Sequence, residues 1–424
     1  MKKQWIAIFL CLSLLATGLL GLTGCAAKVQ AEDLMKDITP VEVSGRAADD
    51  AFKNGAADFA VRLFQTTWEE GKNSLISPLS VMLALSMTAN GARGETLAQM
   101  EVLLGGDIPI DTLNKYLHAY VGGLPSVEKA KLTLANSIWF KDSGFTVEED
   151  FLQRNADYYG AAVYKSAFDK KTLRDINNWV KENTDGVIDK IVDQMDPYAV
   201  MYLVNTVLFD AEWQNIYRKH EVRDGTFTAI DGAKRTVSMM CSNESLYLDD
   251  GKATGFLKPY KNGYSFAALL PNEGVALDDY IASLTGEGFL TTVKNAKEGP
   301  VEAAMPKFSY DYGVEMSDAL KALGMTVPFD AELADFSGPG HSSDGNIYIS
   351  CVLHKAYIAV DERAQRRARQ PRLRRLPQGF GKIGAVLSST GRSSMPSSIM
   401  PPGCPYSSAQ SRTFRSSLDS SGSL

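Results

Sequence analysis

The chain has 424 residues, of which 45% are hydrophobic and 22% are charged, which is the composition of a globular protein. This excludes a fully disordered, collagenous or disulfide-scaffold protein, and five cysteines without a C-x-x-C pair argue against a zinc knuckle or a thioredoxin-type site. A formal charge of −6 at pH 7 gives no general signal for nucleic acid, so we expect no such partner.

The first residues predict export and membrane attachment. Lys2 and Lys3 precede a mostly apolar run over 5–22, as in a secretory signal peptide. The run ends in Leu-Thr-Gly-Cys at 22–25, which resembles the bacterial lipobox, in which the cysteine is lipidated and becomes the mature N-terminus. We therefore predict a lipoprotein signal peptide over 1–24, lipidation of Cys25, and a polar tether over 25–44. A membrane-spanning helix is the alternative, since about 20 apolar residues would cross a bilayer.

Hydrophobic periodicity along the rest of the chain predicts helices first and strands later. Ser77 is a favoured N-cap residue, and Pro78 suits the first helical position. Helices are expected over 51–70, 78–91, 95–104, 172–190 and 317–323. Strands are expected over 132–140, 201–209, 226–230, 237–240, 245–248, 265–270, 302–308 and 346–360. The pattern favours an α+β protein built around large sheets.

The sequence offers little for catalysis or cofactor binding: its one dinucleotide-type string, G-x-G-x-x-G at 379–384, follows a Pro- and Arg-rich stretch where a strand is required. The chain has four histidines and lacks the zinc motif H-E-x-x-H, the nucleophile elbow G-x-S-x-G and the phosphate-binding loop G-x-x-x-x-G-K-[ST]. We therefore predict no enzyme, no metal site and no cofactor. An unrelated surface hydrolase stays open as a hypothesis, because one sequence cannot show whether a histidine lies beside a serine or cysteine.

Six ordered segments between about 45 and 362 resemble the serpin family. They begin with Asn-Ser-Leu-Ile-Ser-Pro-Leu-Ser-Val at 73–81 and Met-Thr-Ala-Asn-Gly-Ala-Arg-Gly at 87–94. Leu-Val-Asn-Thr-Val-Leu-Phe follows at 203–209, Leu-Lys-Pro-Tyr at 257–260, Met-Pro-Lys-Phe at 305–308 and Val-Leu-His-Lys-Ala at 352–356. The resemblance implies a single-domain α+β serpin fold, with helices packed on large, mostly antiparallel β-sheets.

The family's activity is suicide inhibition of a protease, which the resemblance implies for this chain. A serine or cysteine protease cleaves an exposed reactive loop, which then inserts as a new strand into the main sheet and traps the enzyme. The partner is therefore a target protease, together with the membrane through lipidated Cys25. The inhibitor is expected to be a monomer that is exported, either as a cell-surface lipoprotein or as an extracellular protein.

The resemblance also implies two functional clusters. The shutter, a polar cluster under the sheet where it opens, corresponds to Ser77, Pro78, Ser80, Asn205 and His354. Hydroxyl, amide and imidazole groups can form hydrogen bonds that break and re-form. The breach, where insertion begins, corresponds to Trp213 and to an ion pair between Lys307 and Glu362.

The sequence departs from the family directly after Glu362. A serpin hinge reads Gly-Thr-Glu-Ala and further small residues, whereas this chain has a hinge containing Ala364, Gln365, Arg367, Arg369 and Pro371. In the family's register the last four would face the core on insertion. Burying an unpaired guanidinium costs several kcal/mol, and proline removes a hydrogen-bond donor from a central strand. This hinge is therefore expected not to insert normally.

Composition changes at the same place. Residues 363–424 contain ten arginines, one lysine and one acidic residue, whereas the first 362 residues contain 33 basic and 49 acidic residues. In a shifted reading frame, which joins the third base of each codon to the first two bases of the next, the codons after Glu362 can encode a family-like hinge. We therefore hypothesise a frameshift or a sequencing error after Glu362. We divide the chain into a serpin body over 45–362 and an atypical, disordered tail over 363–424. The alternative functions are an inactive or binding-only serpin scaffold and, for the tail, a basic arm for an acidic partner.

Overall fold

A computed structural model describes the chain over 29–127, 130–142, 144–196, 198–229, 232–343, 345–365 and 384–387. The predicted signal peptide, Cys25, Arg367, Arg369 and Pro371 lie outside these residues. Within the described part of the chain, no helix combines the length and hydropathy needed to cross a membrane. The same residues contain no group of acidic, histidine or cysteine side chains arranged to hold a metal ion.

The longer helices precede most of the sheet strands, as periodicity predicts. The helices are α1 (Asp50–Thr67), α2 (Pro78–Ala89), α3 (Gly94–Gly105), α4 (Ile110–Gly122), α5 (Glu149–Tyr159), α6 (Lys170–Asn183), α7 (Leu277–Ser283), α8 (Gly286–Lys294) and α9 (Ser317–Ala322). Helix α2 is buried from Ser80 onward because it has almost no polar face, and it packs beneath the main sheet. Helix α6 ends earlier than predicted, because the chain turns at Asp185 and Gly186, which both have positive φ.

The strands of the main sheet are β1 (Glu32–Asp33), β2 (Ser126–Val127), β3 (Ala130–Lys141), β5 (Ala162–Ser166), β6 (Met201–Glu212), β12 (Phe308–Glu315), β14 (Cys351–Val360) and β15 (Ala364–Gln365). Six of them have the order β1-β5-β3-β6-β14-β12. Strand β2 also pairs with β3, and β15 pairs with β6. The lower end of this sheet is defined here as the end at Met201, and the upper end as the end at Glu212. Strand β14 starts later than predicted because the Ile349 N–H donates to the Pro328 carbonyl, outside the sheet, and the first bond to β6 is made by the Ser350 N–H to the Met201 carbonyl.

The second sheet has the order β11-β8-β9-β10-β16, with β7 paired to β8. Its strands are β7 (Val222–Thr228), β8 (Lys234–Asp249), β9 (Ala253–Pro259), β10 (Ser265–Pro271), β11 (Lys297–Pro306) and β16 (Gly384–Leu387). Strand β4 (Thr146–Val147) pairs with β13 (Gly340–His341) separately. Among the described strand pairs only β3–β5 and β6–β14 are parallel. The expected fold of helices on large, mostly antiparallel sheets is therefore confirmed.

Residues 29–44 differ from the predicted polar tether. Leu34, Met35 and Ile38 pack against the main core, and β1 pairs with β5. The Val41 N–H donates to Asp157 Oδ1 at 2.7 Å. Because this segment carries apolar side chains at places where the body offers apolar surface, it lies along the body instead of hanging free.

A short part of the tail also differs from the prediction of disorder. Strand β16 pairs antiparallel with β10, with Gly384 opposite Leu269 and Leu387 opposite Phe266. The sequence Gly-Ala-Val-Leu at 384–387 is apolar, and β10 otherwise presents an edge of backbone donors and acceptors. Pairing satisfies these groups, so four residues of the tail continue the second sheet.

Candidate functional site

The main sheet contains a seam between two parallel strands, β6 and β14. Their described pairing runs from Tyr202 opposite Cys351 to Val207 opposite Ala356. Both strands continue beyond these pairs toward the upper end. There β15 takes the place beside β6, antiparallel to it, with Ala364 opposite Glu212. The chain leaving β14 therefore turns back at the upper end and starts down the sheet beside β6.

Trp213 holds this turn from the end of β6. Its backbone N–H donates to the Arg363 carbonyl at 2.9 Å, and its indole Nε1 donates to the Asp361 carbonyl at 3.0 Å. The Tyr217 N–H donates to the Glu362 carbonyl at 2.9 Å. The turn is thus tied to β6 by backbone and indole groups, which fixes where β15 begins.

The indole of Trp213 is fully buried between the two sheets. It stacks on Tyr260, with ring centroids 4.2 Å apart and an interplanar angle of 11°, and meets Phe266 edge-on. Phe209, Ile358 and Val360 complete the apolar cluster around it. Such aromatic packing fixes the ring's position, so Trp213 anchors the upper end of the seam to the second sheet.

A buried ion pair that sequence reasoning missed lies under this tryptophan. Lys258 Nζ on β9 lies 2.5 Å from Glu244 Oε1 on β8, and both side chains are almost completely buried. Ser242 Oγ donates to the same carboxylate at 2.6 Å, and Lys258 Nζ lies 4.3 Å from the centre of the Tyr217 ring. The available signal was a lysine inside the apolar strand sequence Gly-Phe-Leu-Lys-Pro at 255–259.

The structure brings together Lys307 and Glu362, the pair expected near the breach. Lys307 Nζ contacts Glu362 Oε2, and the two side chains stay 32% and 42% exposed. Lys307 lies between β11 and β12, so the contact joins that corner to the turn after β14. Because partly exposed pairs contribute about 0–1 kcal/mol, this contact is a minor part of the site's stability.

Four of the five residues predicted for the shutter form one polar cluster, in which Ser80, Asn205 and His354 are buried and Ser77 is half-buried. Asn205 on β6 and His354 on β14 are register partners across the seam. Asn205 Oδ1 accepts hydrogen bonds from Ser80 Oγ at 2.7 Å and from His354 Nδ1 at 2.6 Å. The Ser77 N–H donates to His354 Nε2 at 3.2 Å. The cluster therefore links both seam strands to helix α2 below them.

Helix α2 places these groups by the way it begins. Pro78 is the first helical residue, as predicted, and Ser77 has the extended backbone of an N-cap. Within the described part of the chain, the Ser77 hydroxyl makes no capping hydrogen bond to the helix. The backbone N–H of Ser77 instead points at His354, so this residue acts through its main chain.

The hydrogen bonds of His354 determine which ring nitrogen carries the proton, and burial determines the charge of the ring. A backbone N–H can only donate, so Nε2 accepts and the proton of the neutral ring lies on Nδ1, facing Asn205. Complete burial lowers the pKa of His354 from 6.5 to about 4. The ring is therefore neutral at physiological pH.

Asn136 belongs to the same cluster and was not predicted. It is the register partner of Asn205 on the other side of β6, and the two side-chain amides are in contact. Because Asn205 Oδ1 accepts from Ser80 and His354, the Asn205 Nδ2 group is free to donate to Asn136 Oδ1. The polar pair Asn136 and Ser137 within the mostly apolar residues 134–140 was the signal in the sequence.

Of the predicted hinge residues, the structure describes the backbone of Ala364 and Gln365, which form β15. Arg367, Arg369 and Pro371 lie outside the described residues. Strand β15 places these two residues next to β6, at the upper end of the seam.

Comparison with known proteins identifies relatives over most of the chain. A family model described as "Serpin (serine protease inhibitor)" matches residues 54–390, which starts and ends later than the 45–362 suggested by motifs. Human neuroserpin is 29% identical over 330 residues, covering 72% of this chain and 78% of its own.

Two solved structures of tengpin, a thermophilic serpin, are more similar. The native state is 48% identical over 85% of this chain and 96% of tengpin, with a TM-score of 0.80. The latent state is 52% identical over 76% of this chain and 88% of tengpin, with a TM-score of 0.72.

Proposed function

The chain belongs to the serpin family, and from this premise we propose that it inhibits a serine or cysteine protease by reactive-loop cleavage and insertion. The protease would cleave the segment after β15 and form an acyl-enzyme. The cleaved segment would then enter the main sheet as a strand between β6 and β14. The protease supplies the catalytic residues, so the inhibitor needs none of its own.

One observation carries this proposal: the seam joins two parallel strands, and β15 enters it in the opposite direction. A strand that continued from β15 would be antiparallel to both neighbours. Antiparallel pairing is slightly more stable per residue than the parallel pairing that it would replace. Insertion would also add a full set of backbone hydrogen bonds, so insertion after cleavage would be favourable.

The buried polar cluster is the proposed shutter of this step. To admit a strand, the sheet must separate Asn205 from His354 while the bonds to Ser80 and Ser77 rearrange. Polar groups can exchange partners at modest net cost, since each bond contributes only about 1 kcal/mol, whereas interlocked aliphatic side chains cannot. Trp213 and the Lys307–Glu362 pair are the proposed breach, because they hold the turn from which insertion starts.

The test is the formation of a covalent complex that survives boiling in SDS. Trypsin is a suitable first protease because the tail contains ten arginines, with chymotrypsin, subtilisin and papain extending the panel. A band with the mass of the protease plus the cleaved inhibitor supports the proposal. Trypsin with its catalytic serine replaced by alanine is the control, since it cannot acylate.

A serpin scaffold without inhibitory activity is the second candidate. It is favoured by the sequence at Arg367, Arg369 and Pro371, which would be unfavourable inside a central strand. This candidate predicts cleavage in the tail without a covalent complex and without a rise in melting temperature. Sequencing the codons from His354 to Leu424 tests the proposed frameshift, because one corrected base would yield Gly-Thr-Glu-Ala beyond Glu362.

We also propose that the protein is an exported lipoprotein attached through Cys25. The charged start, the apolar run and the lipobox-like end at Cys25 support this proposal. Metabolic labelling with an alkynyl fatty acid tests it. The wild type should carry the label and sediment with membranes, and Cys25→Ser should do neither; equal labelling of both would rule out this site.

A further inference from the structure

The segment that follows Cys25 joins the main sheet at its lower end. Glu32 lies opposite Lys165 in β5, and Lys165 in turn lies opposite Phe140 in β3. Phe140 lies opposite Met201, the first residue of β6. The chain therefore enters the sheet level with the start of β6 and runs upward from there, since β1 is antiparallel to β5.

This attachment is held by packing and by charge. Val29 and Ala31 pack against the apolar cluster at the lower end that includes Trp139 and Tyr202. Glu32 Oε2 lies 3.2 Å from Lys165 Nζ. The segment is thus in contact with the body from its first described residue, Val29, onward.

The hinge lies at the opposite end of the same strands. Ala364 pairs with Glu212, the last of the twelve residues of β6. At about 3.3 Å per residue, the level of Glu212 is about 36 Å above the level of Met201. Four residue steps separate Cys25 from Val29, and they can span at most about 14 Å when fully extended. A lipid on Cys25 can therefore reach the lower end of the body and not the upper end.

The lower end also presents an aromatic side chain to the outside. Tyr198 lies three residues before β6 and is 82% exposed. Its backbone is held by neighbouring groups, because its N–H donates to Asp196 Oδ1 and its carbonyl accepts from Tyr348 OH. A tyrosine ring has an apolar body and a polar tip, which suits the boundary between membrane and water.

We propose that the lower end of the main sheet, including Tyr198, lies against the membrane and that the hinge at the upper end faces the surrounding medium. This inference rests on the proposed lipidation of Cys25. The surface that it leaves accessible for the protease is the end farthest from the lipid. The partner that fits this arrangement is a protease that approaches from the medium.

The experiment compares two exposed positions at opposite ends. A fluorescent label on Tyr198→Cys reports on the lower end. A label on Ile216→Cys reports on the upper end, because Ile216 is 46% exposed and precedes Tyr217, which bonds to the turn after β14. Both are made in the full chain with Cys351→Ser and Cys404→Ser, which leaves Cys241 buried. The proteins are purified from membranes and reconstituted in phosphatidylethanolamine and phosphatidylglycerol vesicles that contain a lipid with a nitroxide on its headgroup.

We expect the nitroxide lipid to remove most of the fluorescence at 198 and almost none at 216. Equal quenching at both positions, or stronger quenching at 216, overturns the proposed orientation while leaving lipidation intact. Failure of lipidation is a distinct outcome, since the wild type would then stay out of the membrane fraction, as Cys25→Ser is expected to do. In that case the proposed orientation is also ruled out, because it depends on lipidation of Cys25.

Discussion

Asn205 is the residue on which the buried polar cluster depends. Its Oδ1 atom accepts from both Ser80 and His354, so one side chain connects β6, β14 and α2. The next residue, Thr206, is equally buried, but its hydroxyl has no hydrogen-bond partner within the described part of the chain. Substitutions at these two positions therefore distinguish the contribution of the cluster's hydrogen bonds from the contribution of burial alone.

Replacing Asn205 by alanine is expected to lower the free energy of unfolding by about 1–3 kcal/mol, because it leaves the donors of Ser80 and His354 unsatisfied. Thr206→Val is the matched control and should be neutral or slightly stabilising, since it removes a buried hydroxyl without a partner. Chemical denaturation at pH 7.5 measures both. Equal effects of the two substitutions would show that the cluster adds nothing beyond packing.

His354 gives the stability of the protein a defined pH dependence. Its pKa is about 4 in the folded protein against 6.5 for the exposed ring, so only the unfolded chain takes up this proton between these values. Stability is complete above pH 6.5 and falls as the pH drops toward 4, by a total of about 3 kcal/mol at 1.4 kcal/mol per pH unit. Unfolding of wild type and His354→Gln from pH 7.5 to 4 measures this loss. The difference in free energy of unfolding between the wild type and His354→Gln should become smaller as the pH falls. A difference that stays constant from pH 7.5 to 4 would contradict the prediction.

At the scale of elements, the buried Lys258–Glu244 pair joins β8 to β9 under the upper end of the seam. Both groups are removed from water, so their attraction is offset by a large desolvation cost. Lys261–Glu212 is a useful contrast, because its Nζ–Oε2 distance is 2.7 Å and its lysine stays 39% exposed. The two pairs differ mainly in burial.

Lys258→Met should lower the free energy of unfolding by about 3–5 kcal/mol, because it leaves the Glu244 carboxylate buried without a counter-charge. The double variant Lys258→Met/Glu244→Gln should recover much of this loss, since it removes both charges. Lys261→Ala is the control and should cost no more than about 1 kcal/mol. The pair would be shown to be unimportant if Lys258→Met and Lys261→Ala unfolded at the same denaturant concentration.

For the whole molecule, the proposed insertion and the proposed anchoring point to the same end of the main sheet. A segment that continues downward from β15 ends near the level of Met201, which is also the level of β1. A trapped protease would therefore arrive at the end that we propose to lie against the membrane. A 220-residue protease has a radius of gyration of about 17 Å, so it does not fit into a gap of about 14 Å beneath the body.

Membrane attachment is thus expected to oppose trapping. The number of inhibitor molecules consumed per trapped protease should be higher for the vesicle-bound wild type than for Cys25→Ser in solution. A spacer of about 15 Gly and Ser residues between 28 and 29, which reaches about 50 Å when extended, should remove the difference. The same spacer in Cys25→Ser is the control. An unchanged ratio in the vesicle-bound spacer variant would show that the membrane does not hinder the trapped enzyme.

The sequence by itself was enough to predict the fold class and the start of the central helix. Ordered motifs from residue 73 to 356 indicated the serpin family, and the family model and solved relatives confirm it. Proline at position 78 and long apolar runs predicted α2, β3 and β6, because backbone restrictions and burial act locally. Ser80, Asn205 and His354 were assigned to the cluster through the resemblance to the serpin family, because their residue types match the family motifs at these positions.

Only the tertiary structure decided which of these groups meet. Ser80 and Asn205 are 125 residues apart in the chain, and the contact between them depends on how α2 packs beneath the sheet. Strand register likewise decides the contacts of Asn136 and of the Lys258–Glu244 pair. The packing of residues 29–44 and the pairing of β16 depend on apolar surface and on backbone hydrogen-bonding groups that the rest of the fold leaves uncovered. Local sequence determines local conformation, but burial and hydrogen bonding are satisfied across the whole fold, and these contacts exist only after the chain has assembled.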